Sequence, residues 1–408
     1  LSWQNNTMNY FNKLTNQIKR LYRTTKYIKT RQLLYWIVHK FWLQPAPTKY
    51  PSTINYRLFS NNFIAFKIDK KPAFINDYQV VFLNIMGKLV SGKCWNDQSK
   101  PLLWLYNLHY FDDLSLDYRQ RPDFYLQLIQ KWIAENPAKR VKNKHHNVGW
   151  IPFTVAMRLP NWIIFLQSNP QVINQKILQS IYQQMLYLHK NIEYQFMANH
   201  LITDCKGLIY SAIYLNTAES DRVLANACKL LKKQLKEQIL EDGGHFERSP
   251  MYHSLVLYDL LQIYNILNAN QIKAQLIVLL KATIQKQLLW LDYMLHFDHD
   301  IAFFNDASFA IAPKPSCLHN FARSLGIDSL KPAKLYSHFL QQTQFYSYQG
   351  SNIKCIVDCG EVAPSYQPAH AHAEIASFEL SLFDQRMIVN SGTSIYANTK
   401  LRQMQRAT

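Results

Sequence analysis

Residues 377–383 read Ser-Phe-Glu-Leu-Ser-Leu-Phe, with apolar side chains at 378, 380 and 382 and polar ones between them. Strict alternation is the period of a strand, whose successive side chains point to opposite faces. Upstream the period is different. In Ala218–Leu240, Tyr252–Leu267 and Ile272–Leu291 the apolar residues recur at three and four, the spacing of one helical face. Phe124–Ala134 and Ile173–Leu188 carry the same spacing, and helical patterns with short polar connections run from about 115 to about 345. Cys355-Ile356-Val357 and Met387-Ile388-Val389 join 377–383 as short β-rich runs. Many helices followed by several strands predict an all-α domain and then a β domain. The division reads 1–100 as a basic helical segment with an irregular lead-in, 101–342 as the helical domain and 343–408 as the start of the β domain.

The lead-in holds a basic amphipathic segment, with Leu14, Ile18, Leu21 and Tyr22 among Lys13, Lys19, Arg20 and Arg23. Packing of its apolar stripe on the main domain is the favoured reading, and a membrane-surface or polyanion-binding helix the other. Val80-Val81-Phe82-Leu83 reads as a short strand.

Hydrophobic residues make 48% and charged ones 18% of the 408 residues, which excludes a disordered chain. No apolar run approaches the ~20 residues of a membrane span, so no integral span is expected. Lys and Arg outnumber Asp and Glu by 45 to 27, a net charge of +18. Such a field attracts polyanions, and no nucleic-acid module accompanies it. Six scattered cysteines with no Cys-x-x-Cys pair indicate neither a disulfide scaffold nor a zinc ribbon.

Four clusters carry polar groups inside apolar surroundings. Trp104–Asp112 sets Tyr106, Asn107 and His109 among aromatics, which suits sugar rings with apolar faces and hydroxyl edges; a satisfied buried core reads equally well. Asn199-His200 opens a helical stretch, where a carboxylate ligand competes with a capping or core role. In 242–253, Asp-Gly-Gly-His-Phe-Glu-Arg-Ser-Pro-Met-Tyr-His, Ser249 is placed to cap a helix and Pro250 to begin it. Tyr252 then sits in the first turn, where the helix dipole, Arg248 and His253 are all expected to favour phenolate. His245, Glu247, Arg248 and His253 stand beside it as expected substrate ligands. The fourth cluster is His370-Ala371-His372-Ala373-Glu374, whose two histidines share a face if the segment is a strand; Asn390 follows at a distance a hairpin can close. A lone His-x-His is a weak zinc signal.

Taken in order, these stretches resemble the heparinase II/III family of polysaccharide lyases. The matching segments are Leu103–Phe111, Gly149–Trp162, Asn199-His200-Leu201, Asp242–His253, Phe304-Asn305-Asp306 and Val357–Tyr396, and 242–253 is the most specific. The likeness is greatest to the branch found with capsule and surface-polysaccharide genes. It implies an incomplete (α/α) toroid of helical hairpins followed by an antiparallel β-sandwich. It also implies cleavage of a uronate-containing acidic polysaccharide by β-elimination in the periplasm, although no signal peptide is visible and a cytoplasmic site stays open. By the same resemblance Asn199 or His200 neutralises the uronate carboxylate, Tyr252 is the Brønsted base or acid and His370 its partner. His372 and Asn390 fall where the family holds a structural zinc. Asn390 stands in place of the usual Asp, Glu374 stands where Asp is commoner, and the chain stops at Thr408, ahead of a further expected His ligand. Two other functions compete. A glycoside hydrolase would draw paired carboxylates from Asp242, Glu247 and Asp306. A non-catalytic glycan-binding or assembly protein would keep only the scaffold.

Overall fold

The computed structural model describes residues 50–68, 70–89, 94–116, 121–138, 147–396 and 399–407, together with most of 15–41. Leu14, Ile18 and Leu21 of the expected amphipathic stripe lie outside the described residues. Helix α1 (Thr30–Phe41) follows, and it does not dock by an apolar stripe. Leu33, Leu34, Trp36 and Ile37 are exposed, while Gln32 is buried and donates to Tyr366 O at 3.3 Å. Two short strands, β1 (Asn55–Tyr56) and β2 (Gln79–Phe82), come next. β2 forms a hairpin with β3 (Ile85–Lys88) through Leu83 and Asn84, both at positive φ.

The helical domain comprises α2 (Leu102–Tyr110), α3 (Pro122–Glu135), α4 (Pro152–Ser168), α5 (Gln175–Lys190) and α6 (Ala198–Tyr214). After the two-residue strand β4 (Leu215–Asn216), which pairs with β1, come α7 (Ser220–Gln238), α8 (Pro250–Ala269), α9 (Ala274–Tyr293) and α10 (Pro315–Ser324). Five of these coincide, to within two residues at either end, with the segments whose apolar spacing predicts helices. Helix α6 is the centre of the incomplete (α/α) toroid, packed on α4, α7 and α8. All of its residues except His200 are buried, which is why its sequence is apolar nearly all round. No helix among the described residues is long and apolar enough to cross a membrane.

The β domain is one antiparallel sheet in the order β5 (Tyr336–Leu340), β6 (Phe345–Gln349), β7 (Ile353–Asp358), β8 (Phe378–Leu382), β9 (Gln385–Ile388). It begins ahead of the expected boundary at 343, because the apolar Tyr336, Phe339 and Leu340 of β5 do not alternate as a strand face would. Leu340, Phe345 and Ile356 pack with Trp290, Met294, Ala302 and Phe304 in a second core between sheet and helices. The alternating 377–383 run forms β8, but its polar side faces inward. Glu379 and Ser381 are buried and bind the two nitrogens of His296 at 2.8 and 2.6 Å, while Phe378 lies on the outward face. Glu379 also accepts from Phe303 N at 2.7 Å, which fixes the chain just before Asn305-Asp306. A short final helix, α11 (Lys400–Ala407), returns to the domain junction.

Candidate active site

Tyr252 is positioned by the start of α8. Ser249 Oγ accepts from Tyr252 N at 3.2 Å, a cap worth ~1 kcal/mol, and donates to Asp306 O at 2.6 Å. The half-buried Tyr252 ring stacks on His370, with centroids 3.8 Å apart and planes inclined by 29°. The expected phenolate is not favoured here. Burial first, then Tyr396, Glu247 and Asp306, push the phenol well above its ordinary value. Neither of the two neighbours expected to help supplies charge to it. Arg248 points its guanidinium at Glu361 O and Gln344, and His253 is neutral, since burial takes its imidazole down to about 3.

His370 and His372 lie in a loop between β7 and β8 rather than in a strand, yet they converge on one carboxylate. Asp306 receives His370 Nδ1 and His372 Nε2, each at 2.8 Å, and both terminal nitrogens of Arg402 from α11. Burial opposes its charge, but the bonds from His370, His372 and Arg402 hold the carboxyl well below the usual range. The Asp306 and Glu374 carboxylates outweigh burial at His372 and raise its imidazole. Asn305, at φ 58°, ties this loop to α8. Its N donates to Glu374 at 2.7 Å, its Oδ1 accepts from His372 N at 2.9 Å, and its Nδ2 donates to Arg248 O at 3.0 Å.

The opposite wall is the entry to α6, where Met197 and Ala198 take positive φ. The buried Asn199 Oδ1 has no hydrogen-bond partner. Gln238 donates to Ala198 O at 2.7 Å and meets His245 Nε2 at 3.0 Å, so the α6 entry and the Gly-Gly loop are locked together. Burial drives His245 well below the normal imidazole range. His200 Nδ1 lies 2.7 Å from Glu193, with its ring between Phe153 and Phe196. Between the walls stands Glu247, 2% exposed, with neither carboxyl oxygen hydrogen-bonded and Oε2 lying 3.7 Å from His245 Nδ1. Burial raises it, while His370 and His200 both lie near enough to counter that effect. Buried polar groups are normally hydrogen-bonded, so the Glu247–His245 contact at 3.7 Å and the unbonded Asn199 Oδ1 mark where a polar ligand can complete the hydrogen bonding.

Four of the expected ligands are occupied elsewhere. His109 uses Nε2 on Trp95 O and Nδ1 on Trp132 Nε1, both at 2.8 Å, and burial lowers it to about 3; it is a core residue. His253 accepts from His245 N and bonds Gln287 O. Asn107 donates to Leu103 O in its own helix at 2.7 Å, and Arg248 braces the β-domain loop. Tyr106 is half-buried, its hydroxyl raised by burial and by Glu193. Sequence reasoning does not assign roles to Arg402, Glu193 or Tyr396; Asp306 enters only as a matched position and a hydrolase carboxylate. Nothing near Arg402 in sequence signals that it reaches Asp306, 96 residues away.

The residues named for zinc do not form a donor set. Asn390 directs its amide to Ser377 Oγ at 3.3 Å, and His372 Nδ1 faces Glu374 at 3.2 Å without the alignment of a hydrogen bond. Among the described residues no group of three or more His, Cys, Asp or Glu side chains could hold an ion. Nor do the hydrolase candidates make a working pair. Asp242 is taken by Gly244 N, Gln342 N and Thr343, and Asp306 by His370, His372 and Arg402.

The family model described as Heparinase II/III N-terminus matches residues 101–325, and that described as Heparinase II/III-like, C-terminal matches residues 332–408. This chain belongs to the heparinase II/III family. Among heparinase II/III relatives, the heparin-sulfate lyase of Pedobacter heparinus is 21% identical over 79% of this chain and 53% of its own length. That of Bacteroides stercoris is 21% identical over 76% of this chain and 52% of its own length. The chain thus spans about half the length of the curated relatives it matches. The crystal structure of a heparinase III superposes with a TM-score of 0.61 at 16% identity, over 96% of this chain and 67% of that one. A heparan sulfate lyase structure from Pedobacter heparinus gives 0.54 at 17%, over 81% and 57%. These likenesses fix the fold as the heparinase toroid followed by its β domain.

Proposed function

We propose that this heparinase II/III-family chain is a polysaccharide lyase that cleaves a uronate-bearing acidic glycan by β-elimination, with a heparan-sulfate-like chain or a bacterial surface polysaccharide as substrate. One observation carries the reading: Tyr252 stacked on a His370 that is backed by the Asp306 carboxylate, with Glu247 and Asn199 Oδ1 buried nearby without hydrogen bonds.

Because Asp306 is held anionic, the His370 proton belongs on Nδ1, and Nε2 is left as the basic nitrogen. His370 Nε2 removes the C5 proton of the uronate, and that electron pair becomes the C4–C5 double bond. The C4–O4 bond breaks, and O4 takes the Tyr252 proton. The proton on His370 then returns to Tyr252, and no water is consumed. Acid–base catalysis of this kind contributes ~10²–10⁴-fold. Charge that develops on the uronate carboxylate needs donors already in place. Glu247, whose carboxyl is raised by burial, supplies one in its protonated form, and Asn199 Nδ2 and the His200 ring supply others, with Asn199 Oδ1 left to accept from a sugar hydroxyl. The net charge of +18 brings an acidic chain to the site.

The test is incubation with heparan sulfate, hyaluronan, alginate and bacterial surface polysaccharides, reading ultraviolet absorbance of the unsaturated product. Cleavage with a rise in absorbance is expected on at least one of them. Fragments without unsaturation would identify a hydrolase instead.

A further inference from the structure

Neighbouring residues of the turn between α5 and α6 face different places. Glu193 meets His200, whereas Tyr194 lines a separate cavity of about 400 Å³ bounded by α1, the end of α5 and α7. Its walls carry Arg31, Lys190, Lys229 and Lys233, with Tyr35 and Tyr194 among them. The Arg31 guanidinium lies 3.5 Å above the Tyr194 ring, and the two tyrosine rings are 4.6 Å apart.

Folding alone does not account for this grouping. Lys190 is in the last turn of α5, where a cation suits the helix dipole. Lys229 and Lys233, however, are like charges one turn apart on α7, an arrangement that weakens a helix. None of the four cations forms an ion pair with a carboxylate among the described residues. Glu237, one turn on from Lys233, feels that lysine but is bonded to Lys29 and Tyr366. The cavity has the volume of a small-ligand site. Its chemistry suits an acidic sugar: four cations for a carboxylate or sulfate, with Arg31 held at the wall by its contact with the Tyr194 ring.

We infer that this cavity is an exosite that holds an anionic stretch of the glycan chain away from the catalytic cleft. The class of ligand rests on the lyase reading above; the charge and shape of the cavity do not.

The test compares two double variants that each remove two positive charges from α7. Lys229→Gln with Lys233→Gln alters the cavity, and Lys232→Gln with Lys236→Gln alters exposed residues that do not line it. Binding of size-defined heparan sulfate and of alginate is measured at fixed salt, with no turnover required. The cavity pair should raise Kd on the order of tenfold and flatten its salt dependence, and the control pair should stay within about twofold. A loss seen with heparan sulfate alone assigns sulfate as the anion, and a loss shared with alginate assigns the carboxylate; either supports the exosite. Equal losses from both pairs would overturn it, as would a wild-type protein that binds neither glycan. Binding through the cavity without any unsaturated product would sink the lyase reading and leave the exosite standing.

Discussion

Replacing Asp306 with Asn should separate catalysis from architecture. Asparagine keeps the shape of the side chain but loses its charge and turns one acceptor into a donor. It would face two imidazole nitrogens and the Arg402 fork, all of which now donate to the carboxylate. Arg402 would then be a buried cation with no counter-charge, a loss of about 3–5 kcal/mol. For a chain of this length that corresponds to a fall in Tm of about 5 °C. His370 would lose the acceptor that fixes its proton on Nδ1, and the basic Nε2 would no longer be assured. The equivalent exchange in a Ser–His–Asp triad costs about 10⁴ in kcat, so a drop of ~10²–10⁴ is expected here for a more solvent-exposed histidine. The assay is kcat from unsaturated product on the best glycan, beside Tm over a range of pH. The sign of the pH effect follows from the lowered Asp306 carboxyl. Its contribution is present above the ordinary carboxylate range and is lost as pH falls toward the folded value, so the Tm gap should narrow in acid. Wild-type kcat in a variant with lowered Tm would refute the reasoning: Asp306 would then build the loop and nothing more.

Tyr252→Phe should keep glycan affinity within a few-fold and lose most of kcat, ~10²-fold or more, because it deletes only the donated proton; near-normal kcat would remove Tyr252 from the chemistry. Glu247→Gln, which can still donate a hydrogen bond, should retain most turnover, while Glu247→Ala should lose both KM and kcat on uronate substrates; equal behaviour of the two would show that Glu247 does not act as a donor. Lys354 is buried beside Tyr293 O, Ser347 and Tyr336, and burial lowers it to about 7. A lysine depressed in the fold destabilises fully below pH 7, and that loss is recovered as pH rises toward ~10.4. Lys354→Met should therefore gain Tm relative to wild type as pH falls from 9 to 6, and a pH-independent difference in melting scans would contradict this.

The sequence by itself determined the elements and their order. Helical spacing across 124–291 and alternation across 377–383 are local properties of the chain, and both are realised in the fold. So is the capped start of α8, because Ser249 and Pro250 act within one turn of Tyr252. Local pattern singled out polar stretches inside apolar surroundings, but not which of them face one another: the His109 stretch packs into the core, while 242–253 and 370–374 meet. The apolar side of β8 faces outward because its polar side finds His296 in the helical domain, a partner over 80 residues away. The Tyr252 proton is held by burial, by Tyr396 and by the Glu247 and Asp306 carboxylates, which outweigh the helix dipole that the sequence displays. His109 and His253 look like ligands in sequence and are core residues in space, since both nitrogens of each ring find partners there. Only tertiary structure brings Arg402, His370 and His372 onto Asp306, because charge pairing depends on distance through space and leaves no periodicity in the chain.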